Sequence, residues 1–418
     1  MAADPAQGII RSFQRVPFYN DEPKFSQYTV SFQQQWPYDP TRDSGADASG
    51  THLERDVALL KALCEGIERH CLAAYNPEDF TLAKASDLDC RSLPLPNVAA
   101  FTQLQLKRPS FKAFRFNSQS NLKWIQGHDC LLDECAMVPA QLVYVPYEYK
   151  DEPAIRLPIS TGAACSTDLV SALCRGILEV IERDAYMRWF LSSQREAVIV
   201  NLNAAANAQL TRLLEIYERY RLELIILSLP SDIPIPVMMA IIVDRTGIGP
   251  FLTMGLKCHP DPVEAILGAV AEAQQMRPWL RDQLILQPQP SQKKVNPKTI
   301  STGLARALYW ASPSRSVDLT QLLAGTRSEI PPPLFSEPQP TSWNDLLEEL
   351  KSHLVRAGMS LYYVDVTTPT VRELGFVVLK VLIPEAQPLY LDERFPYLGG
   401  TRLHSDQAKP PQLPHPFV

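Results

Sequence analysis

Two five-residue strings, EGIER at 65–69 and EVIER at 179–183, set the tightest constraint on how this chain can fold. Each lies in a stretch with helical spacing. From Leu53 the apolar residues Val57, Leu60, Cys64, Ile67 and Cys71 fall three or four apart. That spacing predicts one helix face, with the turn-rich run TRDSGADASGT before it supplying N-cap candidates. From Asp168 the run DLVSALCRGILEVIERDAYMRWFL predicts a long helix entered through the polar turn TGAACST. Residues i and i+3 are neighbours on a helix, so Glu65 stands beside Glu68 and Glu179 beside Glu182, with Arg69 and Arg183 adjacent. Paired carboxylates repel. They persist either as solvated charge on outward faces or as hard oxygen ligands around a shared cation. On the second reading, four carboxylates from two facing helices hold Mg²⁺ while the arginines neutralise phosphate oxygens.

A third helical run, DPVEAILGAVAEAQQMRPWL from 261, has Pro262 in its first turn and Pro278 near its end. It repeats the i, i+3 spacing with Glu272 and Gln275 and adds Arg277. Alone it reads as a solvated face. Beside the other two it fits a single polar site built by three helices.

Between these helices lie runs rich in β-branched and aromatic residues, at 138–147, 222–230, 236–244, 360–367 and 375–384, which predict strands. They follow no regular βαβ rhythm, so the expected class is α+β, or mixed α/β. The chain has 37 Pro against 17 Gly, and prolines concentrate at 287–297, 331–340 and the C-terminal KPPQLPHPFV. The first two read as surface loops. No Walker A loop, GxGxxG, HExxH or GxSxG string occurs, which removes sequence support for the common nucleotide and hydrolase folds. A net charge of −6 argues against a nucleic-acid partner. No apolar run suits a membrane span or a secretory signal, and eight scattered cysteines without CxxC spacing suit reduced thiols. The expectation is a soluble, cytoplasmic protein without structural zinc.

The order of the blocks is more specific than any one of them. GADASGTHLERDVALLKALCEGIERH, PAQLVYVPY, STGAACSTDLVSALCRGILEVIERDA, DPVEAILGAVAEAQQMR, VDVTTPTVRELGFVVLKVLIPEAQPLYLDERFPYLGGTRL and PHPF together resemble the YcaO family over roughly residues 45 to 418. They are most similar to its azoline-forming branch, the D proteins of thiazole/oxazole-modified peptide pathways. The resemblance implies a YcaO-type fold divided into an N-terminal extension (1–44), a catalytic domain (45–407) and a proline-rich tail (408–418). It implies an ATP- and Mg²⁺-dependent cyclodehydratase that phosphorylates backbone amide oxygens of a ribosomal precursor peptide and converts Cys, Ser or Thr into thiazoline or oxazoline rings.

Carried over by residue, the resemblance makes Glu65, Glu68, Glu179 and Glu182 the Mg²⁺ ligands. Arg69 and Arg183 become phosphate contacts, Glu272 and Gln275 further nucleotide or metal contacts, and Arg277 joins the cofactor-binding set. Pro414, Pro416 and Val418 occupy the register of a terminal PxPxP element, with Val418 in place of the last proline. Lys61 stands where some members have Ser, Arg175 is its counterpart before Glu179, and Cys165 stands where Gly is frequent. The implied partners are a precursor peptide, a leader-binding E1-like C protein and an FMN-dependent B dehydrogenase, with a homodimer allowed. Forty-four residues before the first block are too few for a leader-recognition domain. Two relatives of this reading stay open: a YcaO that installs thioamides or amidines, and a non-catalytic docking scaffold of the same complex. A carboxylate-rich metalloenzyme without nucleotide is the remaining alternative.

Overall fold

Residues 44–51 of the run expected to turn before the first helix are instead part of a strand. The computed structural model describes residues 8–34, 44–192, 195–205, 207–286, 296–329, 340–403 and 411–417. Strands β1 (Ile10–Arg15), β2 (Ser26–Gln34) and β3 (Ser44–His52) form an antiparallel sheet in that order. Helix α1 (Arg55–Ala73) lies across it. Its seat is a row of small residues four apart, Ala58, Ala62 and Gly66, while Leu60, expected inside, is 54% exposed. Small side chains let helix and sheet approach closely. A Cβ on Gly50 of β3 would fall 2.4 Å from the Ala62 nitrogen, so glycine is required there. Glu54 is the N-cap, without a side-chain cap, and the candidates Asp47, Ser49 and Thr51 lie in the strand instead.

The next strands, β4 (Thr81–Ala83), β5 (Leu122–Asp129), β6 (Glu134–Pro139) and β7 (Ala163–Ser166), begin a second sheet; the short helix α2 (Gln103–Leu106) lies between β4 and β5. The strand expected over 138–147 ends at Pro139 in a single 3₁₀ turn, and the supposed polar turn TGAACST contains β7. Helix α3 (Leu169–Leu191) follows, capped by Asp168, whose carboxylate accepts the Ser171 N–H at 2.9 Å.

The third sheet takes β8 (Val198–Val200), β9 (Leu222–Ser228), β10 (Val237–Asp244), β11 (Leu252–Cys258) and β12 (Arg327–Glu329), ordered β11-β10-β9-β8-β12. Helices α4 (Ala208–Arg219), α5 (Pro262–Leu286), α6 (Gly303–Ala311) and α7 (Ser316–Leu322) fall among these strands in sequence. Helix α5 runs past Pro278 rather than ending near it. A proline there loosens the preceding turn. The Gln275 carbonyl in that turn accepts a hydrogen bond from Gln27 Nε2 of β2 at 3.0 Å. After α8 (Trp343–Arg356), strands β13 (Tyr362–Asp365) and β14 (Val377–Leu382), separated by α9 (Pro369–Glu373), return to the second sheet. Its order is β4-β5-β13-β14-β7, with β6 on β5. The architecture is α+β. The proline-rich runs at 287–297 and 331–340 lie almost wholly outside the described residues.

Three helices link the sheets. Helix α1 packs on the first sheet and on β7 and β14 of the second, α3 between β14 and β11, and α5 on β10 and β11 while reaching β3. Helix α3 is buried almost all round, the pattern of a central helix. Among the described residues no helix is long and apolar enough to cross a membrane.

Candidate active site

Strands β3, β7 and β11 are each the edge of their sheet, one edge from each of the three sheets. An edge strand turns unpaired N–H groups outward, and here they meet carboxylates from the helices. On α1, Glu65 Oε2 accepts the Ser49 N–H of β3 at 3.0 Å, and Glu68 Oε1 accepts the Cys165 N–H of β7 at 2.7 Å. On α3, Glu179 Oε2 accepts the Gly162 N–H at 2.9 Å, and Glu182 Oε2 accepts the Cys258 N–H of β11 at 2.6 Å. On α5, Glu272 Oε2 accepts the Leu256 N–H of β11 at 2.6 Å. Hydrogen bonds to a charged group contribute about 1.5–3 kcal/mol each. Each glutamate is thus fixed through one oxygen. Cys165, standing where a glycine is frequent, keeps its backbone close enough for this contact.

In four of the five glutamates the second oxygen turns to an arginine. Glu65 Oε1 pairs with Arg69 Nη2 at 2.5 Å, and Arg69 Nη1 also donates to the Asp47 carbonyl at 2.6 Å. Arg183 is shared: Nη1 lies 3.0 Å from Glu182 Oε1, while Nη2 lies 3.7 Å from Glu179 Oε1 and 3.8 Å from Glu272 Oε1. Its side chain is 10% exposed and Glu182's 5%, whereas Glu65 and Glu179 keep 30% and Glu272 34%. The cluster therefore has a buried floor and an open rim. Burial pushes the Glu68 carboxyl well above the usual range, with Glu179 and Glu65 adding repulsion. Burial likewise raises Glu179, against the pull of Arg183, and raises Glu272 to about 7. Lys61 is exposed, and its Nζ donates to the Thr51 carbonyl at 3.3 Å.

The two further α5 residues, Gln275 and Arg277, differ in setting. Gln275 is half-buried one turn beyond Glu272. Arg277 is completely enclosed elsewhere: its Nε and Nη2 reach Glu22 at 2.6 and 2.8 Å, and Nη2 reaches Asp244 at 3.1 Å. Glu22 comes from the β1–β2 connection, so this pair fastens that hairpin to α5 and the third sheet, and Arg277 is not turned to the cluster. Arg175 stacks on Trp343 at 5.1 Å instead of facing its α1 counterpart.

The C-terminal segment enters the core. Pro414, His415, Pro416 and Phe417 are all buried. Trp310 Nε1 donates to the Pro414 carbonyl at 3.1 Å, and the His415 N–H donates to Glu393 at 3.3 Å. Phe417 brings its ring under Arg183, 4.0 Å from Cζ to centroid. The tail thereby touches the same arginine that joins three of the carboxylates. Val418 lies outside the described residues.

The model of a family described as YcaO cyclodehydratase, ATP- and Mg²⁺-binding, matches residues 49–387. The chain belongs to the YcaO family. An uncharacterized protein of Methanothermobacter thermautotrophicus is 26% identical over 385 residues, 88% of each chain. The YcaO protein of Methanopyrus kandleri, solved with AMPPCP and Mg²⁺, superposes with a TM-score of 0.63 at 19% identity, covering 96% of this chain and 91% of that one. A heterocyclase solved in complex with substrate and cofactor gives a TM-score of 0.74 at 20% identity over 92% of this chain. The present chain spans about half the length of that heterocyclase, 51%.

The donor set fits the ion that YcaO proteins bind. It consists of hard carboxylate oxygens, pre-oriented by backbone N–H groups and mutually repelling. Among the described residues no three His, Cys, Asp or Glu side chains stand close enough to enclose an ion by themselves. Mg²⁺ is ordinarily held by one or two carboxylates together with phosphate oxygens and water. The backbone donors at Ser49, Gly162, Cys165, Leu256 and Cys258 have no signature in composition. Their only hint is small residues flanking the acidic helices.

Proposed function

We propose that this chain uses ATP and Mg²⁺ to activate backbone amides of a ribosomally made precursor peptide, closing Cys, Ser or Thr side chains onto the preceding carbonyl as thiazolines or oxazolines. The observation that supports this most is the set of five glutamates, each tied by a backbone N–H, three of them around one buried arginine. When bound, ATP supplies the phosphoryl group that makes an amide oxygen a good leaving group, and Mg²⁺ neutralises its charge. Glu65, Glu68, Glu179 and Glu182 would supply Mg²⁺ ligands, one or two to an ion with phosphate oxygens and water completing its shell, and Glu272 and Gln275 would add contacts from α5. Arg69 and Arg183 would orient the phosphates. Arg183 needs no reorganisation for this, because Glu182 and Phe417 already fix its plane. Arg277 has the separate task of holding α5.

In this reading residues 45–407 carry the chemistry and 1–44 precede it. The tail 408–418, through Pro414, Pro416 and Val418, orders the site around the peptide amide. A leader-binding C protein presents the substrate, and an FMN-dependent dehydrogenase would oxidise azolines to azoles. Thioamide- or amidine-forming chemistry shares the same amide activation and differs in the nucleophile.

The test incubates the protein with a candidate precursor peptide, its leader-binding partner, ATP and Mg²⁺, and weighs the product. Loss of one water per modified residue, dependent on ATP, is the expected result. Exchange of oxygen for sulfur would replace the azoline assignment. Metal binding with no nucleotide-dependent thermal shift would remove ATP from the account.

A further inference from the structure

Strand β14 is central in its sheet, between β13 and β7, and its other residues are apolar. Lys380 interrupts it at 1% exposure. An ammonium so enclosed carries a desolvation penalty of several kcal/mol, which an apolar residue in the same place would avoid. Its position therefore calls for a reason beyond packing.

Its contacts give one. Lys380 Nζ donates to the Ile159 carbonyl at 2.7 Å and to the Thr161 carbonyl at 2.5 Å. These two carbonyls belong to the turn that ends at Gly162, whose N–H holds Glu179 at 2.9 Å. The next residue of β14 grips the same turn, since the Val381 N–H donates to the Gly162 carbonyl at 2.7 Å. Gly162 has φ +86°, and a Cβ there would lie 2.2 Å from the Val381 carbonyl oxygen. The turn is pinned from both sides, and what it presents is one N–H aimed at one carboxylate.

We propose that Lys380 is a positioning residue for the Mg²⁺–nucleotide site, fixing the 159–162 turn so that Gly162 holds Glu179 in ligating orientation. The inference rests on the Mg²⁺–ATP reading above. Groups one layer behind a metal ligand ordinarily contribute ten- to a hundredfold in metal affinity. Removing the ammonium frees the Ile159 and Thr161 carbonyls, the turn relaxes, and Glu179 loses its anchor together with the attraction of the nearby positive charge.

The test is calorimetric titration of Mg²⁺ into protein saturated with a non-hydrolysable ATP analogue, comparing wild type with Lys380→Met. The expected result is Mg²⁺ affinity weakened about ten- to a hundredfold, with ATP turnover recovering towards wild type at high Mg²⁺. Should the methionine variant lose its native circular dichroism, Lys380→Leu, which likewise has no donor for the turn, carries the same expectation. A folded variant of either kind with wild-type Mg²⁺ affinity overturns the proposal, even if its melting temperature falls, because lysine would then serve stability alone. A wild-type protein that takes up no Mg²⁺ with the analogue overturns the underlying reading instead, and this inference with it.

Discussion

Phe417 offers the sharpest single test of how the tail is built into the site. Its ring is 5% exposed, lies 4.0 Å from the Arg183 guanidinium carbon and stands 6.0 Å from the Tyr186 ring. Truncating a buried phenylalanine to alanine costs about 3–5 kcal/mol. A cation–π contact in a desolvated setting accounts for about 2 kcal/mol of that. Phe417→Ala should therefore lose about 3 kcal/mol in urea unfolding. The more informative variant is Phe417→Leu. It keeps most of the apolar volume but removes the aromatic face beneath Arg183, so its stability loss should be about 2 kcal/mol, the share of the cation–π contact. ATP turnover should then fall by more than the stability change explains. Deleting 414–418 is a blunter tool, since it also strips the Trp310 and Glu393 contacts and would destabilise the whole fold. A Phe417→Ala protein within 1 kcal/mol of wild type would show that the segment is not seated as described. So would a leucine variant with normal turnover, for the coupling to Arg183.

Three further outcomes follow from the same geometry. Glu65→Gln and Glu182→Gln keep an oxygen for the Ser49 and Cys258 N–H groups, so both should retain native circular dichroism while ATP turnover is abolished; wild-type turnover in both would remove them from the ion site. Arg183→Lys keeps the charge but loses the planar fork that spans Glu179, Glu182 and Glu272, so steady-state kinetics should show impaired turnover. Asp244 is held below the ordinary aspartate value of 3.8, because the Thr246 hydrogen bonds and Arg277 outweigh its burial. Its folded form releases the proton more readily than the unfolded chain, so its contribution is present at neutral pH and is lost as pH falls through 3.8 and below. Chemical unfolding from pH 7 to 3 should show Asp244→Asn less stable at neutral pH, with a shallower acid decline than wild type.

The carboxylates themselves were legible because a helix converts i, i+3 spacing directly into adjacency, and the ExxE pairs needed nothing further. The strands at 222–228, 237–244, 362–365 and 377–382 also follow from β-branched runs. What failed was long-range. Gly50 looks like a turn residue, Gly66 like a weak helix position and Ala58 and Ala62 like ordinary helix formers until strand and helix are pressed together. Then smallness is the property that matters, and Leu60 is left outside. Arg277 lies two residues beyond Gln275 and reads as part of the same polar set. Its partners Glu22 and Asp244 come from distant segments that no local pattern brings near. Lys380 was visible as the one charge within an apolar strand, but its purpose depends on a turn more than two hundred residues earlier.

The convergence of β3, β7 and β11 also bears on how the protein stays unaggregated. Open strand edges recruit other strands, and proteins usually blunt them with charge, bulges or a covering element. Here the glutamates at the site occupy the outward N–H groups of three edges at once. Alanine at Glu68 or Glu272 would delete a carboxylate of the cluster and also uncover a docking template for a neighbouring chain. Insoluble protein from such a variant would therefore report an unsealed sheet, and glutamine, which keeps the seal, is the substitution from which chemistry can be read.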